Sequence, residues 1–152
     1  MNFTRDVIVT ALLAAALAGC ATNQQTSTST NNPVGPDKVL YHINAGLDQA
    51  SNGLRNIRNH LEANPKAKIV VVTHAQGVDF LMKDQKDANG NPYEIIVQDL
   101  KSQGVRFDVC LFTLRGRKIN RDRFIEEVTF VLSGVAEVGR LQQREGYAYL
   151  RP

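Results

Sequence analysis

Residues 68–73 read Lys-Ile-Val-Val-Val-Thr, β-branched and apolar on both parities. A strand with one wet face alternates apolar and polar side chains, so a run without alternation has no wet face. That is the pattern of a central parallel strand covered on both sides. Parallel neighbours need long crossover connections, usually helical, and the rest of the chain supplies them. Lys38 to Ile43 is a short strand-like run. Ala50, Leu54, Ile57 and Leu61 recur at helical spacing, with Asn64-Pro65 as the stop.

After the central strand, Val78 to Met82 predicts a short helix, followed by a turn at Asp87-Ala88-Asn89-Gly90-Asn91. Pro92 suits a helix first turn, and Ile95, Ile96, Leu100 and the stop at Gly104 define that helix. Val105 to Phe112 is the third strand and Glu127 to Leu132 the fourth. Ser133-Gly134 opens a helix with Val135, Val138 and Leu141 inward, ended by Gly146. Tyr147 to Leu150 is a final short strand. Strands separated by helical segments imply βαβ units. The expected architecture is a three-layer α/β/α sandwich with a mainly parallel sheet of about five strands. There is no internal repeat and no glycine-rich nucleotide fingerprint, and strand order is not legible.

The N-terminal segment has a different character. Arg5 precedes an apolar run from Val7 to Ala18, which at about a dozen residues fits a signal h-region and is too short to span a bilayer. It ends in Leu17-Ala18-Gly19-Cys20, which resembles the lipobox of bacterial lipoproteins. Residues 1–19 therefore read as a cleaved signal peptide and Cys20 as the lipid-bearing new N-terminus. Residues 21–36, almost all Thr, Ser, Asn, Gln, Gly and Pro, cannot bury enough surface to offset their ordering entropy. With Cys20 they form an expected tether, 20–36, whose coil portion spans roughly 20–25 Å. Ala21 is not the Asp that usually retains a lipoprotein in the inner membrane. The expected location is the periplasm, lipid-anchored to the outer membrane, with residues 37–152 as one small domain.

The net charge of +3 is modest. Export argues against nucleic acid as a partner, so the cluster at Arg115, Arg117 and Lys118 reads as a solvated face. Of two cysteines one is consumed by lipid, leaving Cys110 as the sole thiol of the domain. An unpaired thiol in an oxidising compartment flags either burial or reactivity.

Ligands of open parallel sheets bind outside the carboxyl ends of the strands. That edge collects Asn44 after the first strand, His74 and Gly77 after the second, Cys110 and Thr113 after the third, and Ser133-Gly134 at a helix start. Alternation puts Cys110 on the more polar face of its strand. Helix N-termini and nearby cations such as Arg115 and Arg117 depress a thiol pKa, whereas an inert Cys110 would be a small core residue. Both readings are open. His42 reads as a satisfied core residue and His60 as solvated. One His and one Cys do not make a zinc site, so no metal and no cofactor is expected. Ser133 reads as a helix cap or, with Gly134, as a small-anion site.

Several blocks then resemble the DsrE/DsrF-like family: Thr73-His74-Ala75-Gln76-Gly77, the run from Gly104 to Cys110 with Thr113-Leu114, Ser133 to Glu137, and the ending from Leu141 to Pro152. The resemblance implies a Rossmann-like domain assembling into trimers or hexamers. It also implies a sulfur carrier, in which a cysteine at a strand end receives sulfane sulfur as a persulfide and passes it on. Cys110 matches that cysteine, while Phe112 stands where many relatives carry Asn. The partners implied are sulfur donor and acceptor proteins or small sulfur anions. The alternative reading is a non-catalytic oligomeric binding or assembly module of the envelope, with Cys110 packed.

Overall fold

The computed structural model describes residues 36–152. The expected signal peptide, the lipid site at Cys20 and nearly all of the tether lie outside the described residues. The chain runs β1 (Lys38–Ile43), α1 (Leu47–Ala63), β2 (Lys68–Thr73), a 3₁₀ segment (Ala75–Leu81), α2 (Tyr93–Ser102) and β3 (Arg106–Cys110). It continues through α3 (Leu111–Arg117), a short 3₁₀ turn (Arg121–Arg123), β4 (Val128–Val131), α4 (Gly134–Glu145) and β5 (Ala148–Leu150). Five strands form one sheet in the order β4-β3-β2-β1-β5, and every pairing is parallel.

This order places the helices. From β1 to β4 each crossover steps in the same direction along the sheet, and the last one returns to the far side of β1. Because such crossovers are right-handed, a reversal of direction puts its helix on the opposite face. The core divides accordingly. Val39, Tyr41, Ile43, Ile69, Val71, Phe107 and Val109 pack with α1, α2 and Leu114. Leu40, Val70 and Val72 pack with Leu141 of α4. The expected three layers are present, but the second outer layer is a single helix.

Several boundaries differ from the sequence expectation. The third strand ends at Cys110, so Leu111 and Phe112 open α3 instead of extending β3. The short helix expected from Val78 is a 3₁₀ segment beginning at Ala75. Ile95 of α2 is 63% exposed, and Tyr93, Val97 and Leu100 carry that helix's buried face. Val135 was expected inward, yet it is 65% exposed, while Leu141 is fully buried. Ser133 caps α4 by accepting the Ala136 N–H at 3.3 Å, and Gly146 ends it with φ +72°, the left-handed C-cap that glycine adopts without penalty.

Gly77 has a packing reason. A Cβ there would lie 2.1 Å from the Ile43 carbonyl oxygen, so only glycine lets the 3₁₀ segment press against the end of β1.

Candidate functional site

The strand ends of β3 and β4 send their chains to opposite faces, through α3 and α4. This is the topological switch point, where open α/β sheets form their crevice. Cys110 ends β3 there and is the N-cap of α3. It is only 5% exposed.

Burial alone would push the Cys110 thiol pKa up. Nearby donors outweigh it: the Gly134 N–H, the Thr113 hydroxyl and N–H, and the Phe112 N–H, which is itself bonded to the Leu132 carbonyl, favour the thiolate and hold the pKa below the ordinary thiol range. Two of the donors belong to the first turn of α3, whose N–H groups have no intrahelical partner. The third N–H comes from the first residue of α4, across the crevice. Gly134 can bring it in because it lacks a side chain. A Cβ at that position would sit 3.2 Å from the Cys110 Cβ, the His74 Cβ and the Thr73 carbonyl oxygen.

Thr113 links the cradle to β2. Its Oγ1 accepts the Ala75 N–H at 2.9 Å, which leaves the hydroxyl proton free to point at sulfur. Ala75 has φ +51°, a left-handed conformation costing roughly 1–2 kcal/mol in a residue with a Cβ. The Arg117 guanidinium also holds it, donating to the Ala75 carbonyl at 2.9 Å and to Asp79 Oδ1 at 2.6 Å. Arg117 is thus spent on this clamp, and Arg115 stacks over the Phe112 ring at 5.3 Å. The thiol's pKa is lowered by these neighbouring donors and not by the arginine cluster that the sequence suggested.

Behind the sulfur lies a charged network. Asp108, two residues before Cys110 on the same face, is fully buried. Burial raises its carboxyl pKa, and Arg106 opposes that through bonds of 2.9, 3.0 and 3.2 Å. Arg106 also reaches Glu137 of α4 at 3.0 Å, and Arg140 grips the same Glu137 at 2.5 and 2.8 Å. These bonds fix the start of α4, and with it the Gly134 N–H, against β3.

His74 flanks the crevice from the end of β2. Its Nε2 lies 2.7 Å from Nε2 of His42, and His42 Nδ1 lies 2.7 Å from the Tyr149 hydroxyl of β5. Burial, the facing His74 and Arg151 push the His42 pKa down to about 4, and burial lowers that of His74. Both rings are neutral at neutral pH. His60, expected to be solvated, is mostly covered and bonded to the Tyr41 hydroxyl at 3.1 Å.

Of the residues expected at this edge, the structure brings Cys110, Thr113, Gly134 and His74 together. Ser133 spends its hydroxyl on the α4 cap, and Gly77 packs on β1. Asn44 sits in a turn where its N–H donates to Gln49 at 2.9 Å; its Oδ1 is buried without a partner among the described residues. Sequence reasoning missed His42, Tyr149 and the Arg106–Asp108–Glu137 network. The only advance signal was parity, since His42 shares the α4 face with Leu40, and parity does not say which strands are neighbours.

A cleft of about 630 Å³ lies on the α1/α2 side among Ser51, Arg55, Arg58, Asp87 and Tyr93, away from the thiol. Among the described residues no helix is long and apolar enough to cross a membrane. No three His, Cys, Asp or Glu side chains among them are grouped to hold a metal ion.

Fold and site together define a Rossmann-like α/β/α domain with a buried cysteine at its strand-end crevice. Residues 37–152 match the DsrE/DsrF-like family, and the chain belongs to that family. A solved structure described as a protein of unknown function, MTH1491 from Methanobacterium thermoautotrophicum, is 34% identical with a TM-score of 0.68; the match covers 76% of this chain and 99% of that one. The ychN protein from E. coli shares the fold, with a TM-score of 0.62 at 17% identity over 75% of this chain and 99% of its own. Among curated proteins none matches.

Proposed function

We propose that this protein is an envelope-tethered sulfur carrier that accepts sulfane sulfur on Cys110 as a persulfide. The observation that carries the reading is the placement of a buried thiol at the start of α3 and against Gly134 of α4, where backbone and hydroxyl donors favour the thiolate. A packed, inert cysteine needs none of them. A nucleophilic one needs its thiolate populated near neutral pH, and the same donors suit the anionic terminal sulfur of a persulfide. With thiosulfate, the Cys110 thiolate attacks the outer sulfur, a new S–S bond forms, the donor S–S bond breaks and sulfite leaves with the electron pair. The persulfide is then open to attack by an acceptor thiolate, which returns Cys110 to its starting state.

Intact-mass spectrometry of the full-length protein after exposure to thiosulfate or polysulfide tests the reading, beside Cys110→Ser. One sulfur atom gained by the wild type, removed by reductant and never acquired by the variant is the expected result. An unmodified wild type that stays folded would sink it.

The tether belongs to the same proposal: Cys20 carries lipid, and the domain stands at the periplasmic face of the outer membrane. Cys20→Ala should leave a soluble or unprocessed precursor, and normal outer-membrane fractionation of that variant would end the lipoprotein reading.

One observation favours a second reading, an oligomeric binding or assembly module. Phe112, Leu132 and Val135 are exposed large apolar residues beside the crevice, and the Phe112 N–H bonds the Leu132 carbonyl at 3.2 Å. Such a rim suits a subunit contact, in keeping with a trimer or hexamer. Sedimentation of Leu132→Glu against the wild type tests it; unchanged mass would remove this rim from any interface.

A further inference from the structure

We propose that His74 is the acid–base residue that moves a proton between sulfurs when Cys110 takes sulfur from a hydropersulfide, with His42 and Tyr149 as its positioning residues. The inference rests on the sulfur-carrier reading and adds a donor class and a second catalytic side chain.

Thiosulfate transfer needs no proton, but transfer from a hydropersulfide does. The Cys110 thiolate attacks the outer sulfur of R–S–SH, the Cys110–S bond forms and the R–S bond to that sulfur breaks. The products are Cys110–S–S⁻ and R–SH. Without proton transfer the products would be Cys110–S–SH and a poor leaving group, R–S⁻; the anionic persulfide and the neutral thiol form when the proton on the transferred sulfur passes to the departing thiolate. A residue beside Cys110 that both accepts and donates a proton at neutral pH would speed that step.

His74 has the placement. Its Cβ and that of Cys110 lie at the same 3.2 Å distance from one point over Gly134. Its Nε2 is engaged by His42, which leaves Nδ1 to exchange a proton with a bound sulfur donor. Two imidazole nitrogens 2.7 Å apart hold one proton between them, so the chain has two neutral arrangements. In one, the Tyr149 hydroxyl donates to His42, His42 donates to His74, and His74 Nδ1 carries a proton to give. In the other, every bond is reversed, Tyr149 accepts, and His74 Nδ1 has a free lone pair. Tyr149, partly exposed on edge strand β5, can turn its own proton to water in that second state. Shifting protons along the chain turns His74 from base to acid without charging either ring. The low pKa of His42, about 4, keeps both rings available in their neutral forms.

The test compares two reactions of Cys110 in the full-length protein: sulfur uptake from glutathione persulfide, and alkylation by iodoacetamide, which needs the thiolate but no proton. His74→Ala should slow uptake by roughly a hundredfold, in the range of general acid–base catalysis, and leave alkylation unchanged. Added imidazole should restore part of the rate. Tyr149→Phe, which keeps the ring and loses the hydroxyl, should slow uptake less and alter its pH profile. Uptake at the wild-type rate in all variants would overturn the relay. So would a parallel loss of uptake and alkylation, which marks a structural role. A wild type that alkylates normally but never gains sulfur would instead remove the carrier reading, and the relay with it.

Discussion

Gly134, first residue of α4, packs so closely on Cys110, last residue of β3, that a Cβ on it would lie 3.2 Å from the Cys110 Cβ. The contact crosses the switch point of the sheet, so it joins two strand ends and both outer layers at the thiol. Its geometry depends on the absence of a side chain at position 134.

Gly134→Ala therefore tests the cradle. The added methyl meets two Cβ atoms and a carbonyl oxygen at 3.2 Å, close enough to push α4 back and move the Gly134 N–H away from the sulfur. The thiol pKa should rise, seen as slower iodoacetamide alkylation near neutral pH that recovers in alkali. Overpacking of this kind costs about 1–3 kcal/mol, readable by urea denaturation. An unchanged alkylation profile would show that Gly134 does not stabilise the thiolate.

Thr113 contributes both a donor to sulfur and an acceptor for the strained Ala75. Thr113→Val should raise the Cys110 pKa and destabilise the fold by about 1–3 kcal/mol, the cost of leaving a backbone N–H without its partner. Thr113→Ser keeps the hydroxyl and should restore both properties. Equal behaviour of the two variants would contradict a role for the hydroxyl.

The Arg106–Asp108 pair behaves as a buried charge with one wet partner. Arg106→Met strands a fully buried carboxylate and is expected to cost about 3–5 kcal/mol. Asp108 already has its pKa raised by burial, and losing Arg106 raises it further. A raised carboxyl pKa gives stability that is present in acid and lost as pH rises, so the variant's deficit should shrink toward low pH. Adding Asp108→Leu should recover a large part of the loss, measured by chemical denaturation at two pH values.

For His42 the sign runs the other way. Its folded pKa is lowered from 6.5 to about 4, so the unfolded state binds more protons in that window. Stability should fall as pH drops from 6.5 toward 4, because charging the pair puts a second N–H into the 2.7 Å contact with His74. Melting temperatures of wild type and His42→Phe across that range should converge in acid. Parallel curves would mean that the imidazole pair contributes nothing to the acid sensitivity.

Much of this molecule is written locally. The run Ile69 to Val72 fixes a central strand because no other arrangement covers both its faces. The spacing of Ala50, Leu54, Ile57 and Leu61 fixes α1, and Ser133 with Gly146 brackets α4 by capping chemistry that acts within one turn. The strand-end rule brought Cys110 to the correct edge for the same reason: a parallel strand has a direction that the sequence reveals. Val135 was misread because periodicity marks an apolar face without saying whether another layer meets it.

Sequence alone thus determined the layered α/β architecture, the family likeness and the place of the thiol on the strand-end edge. Tertiary structure decided which strands are neighbours, and everything at the site depends on that. Hydrogen bonds reach only about 3 Å, so a donor counts only when β4 lies beside β3 and α4 starts over Cys110. The approach of His42 to His74, 32 positions apart in the chain, likewise exists only because β1 and β2 are paired in register.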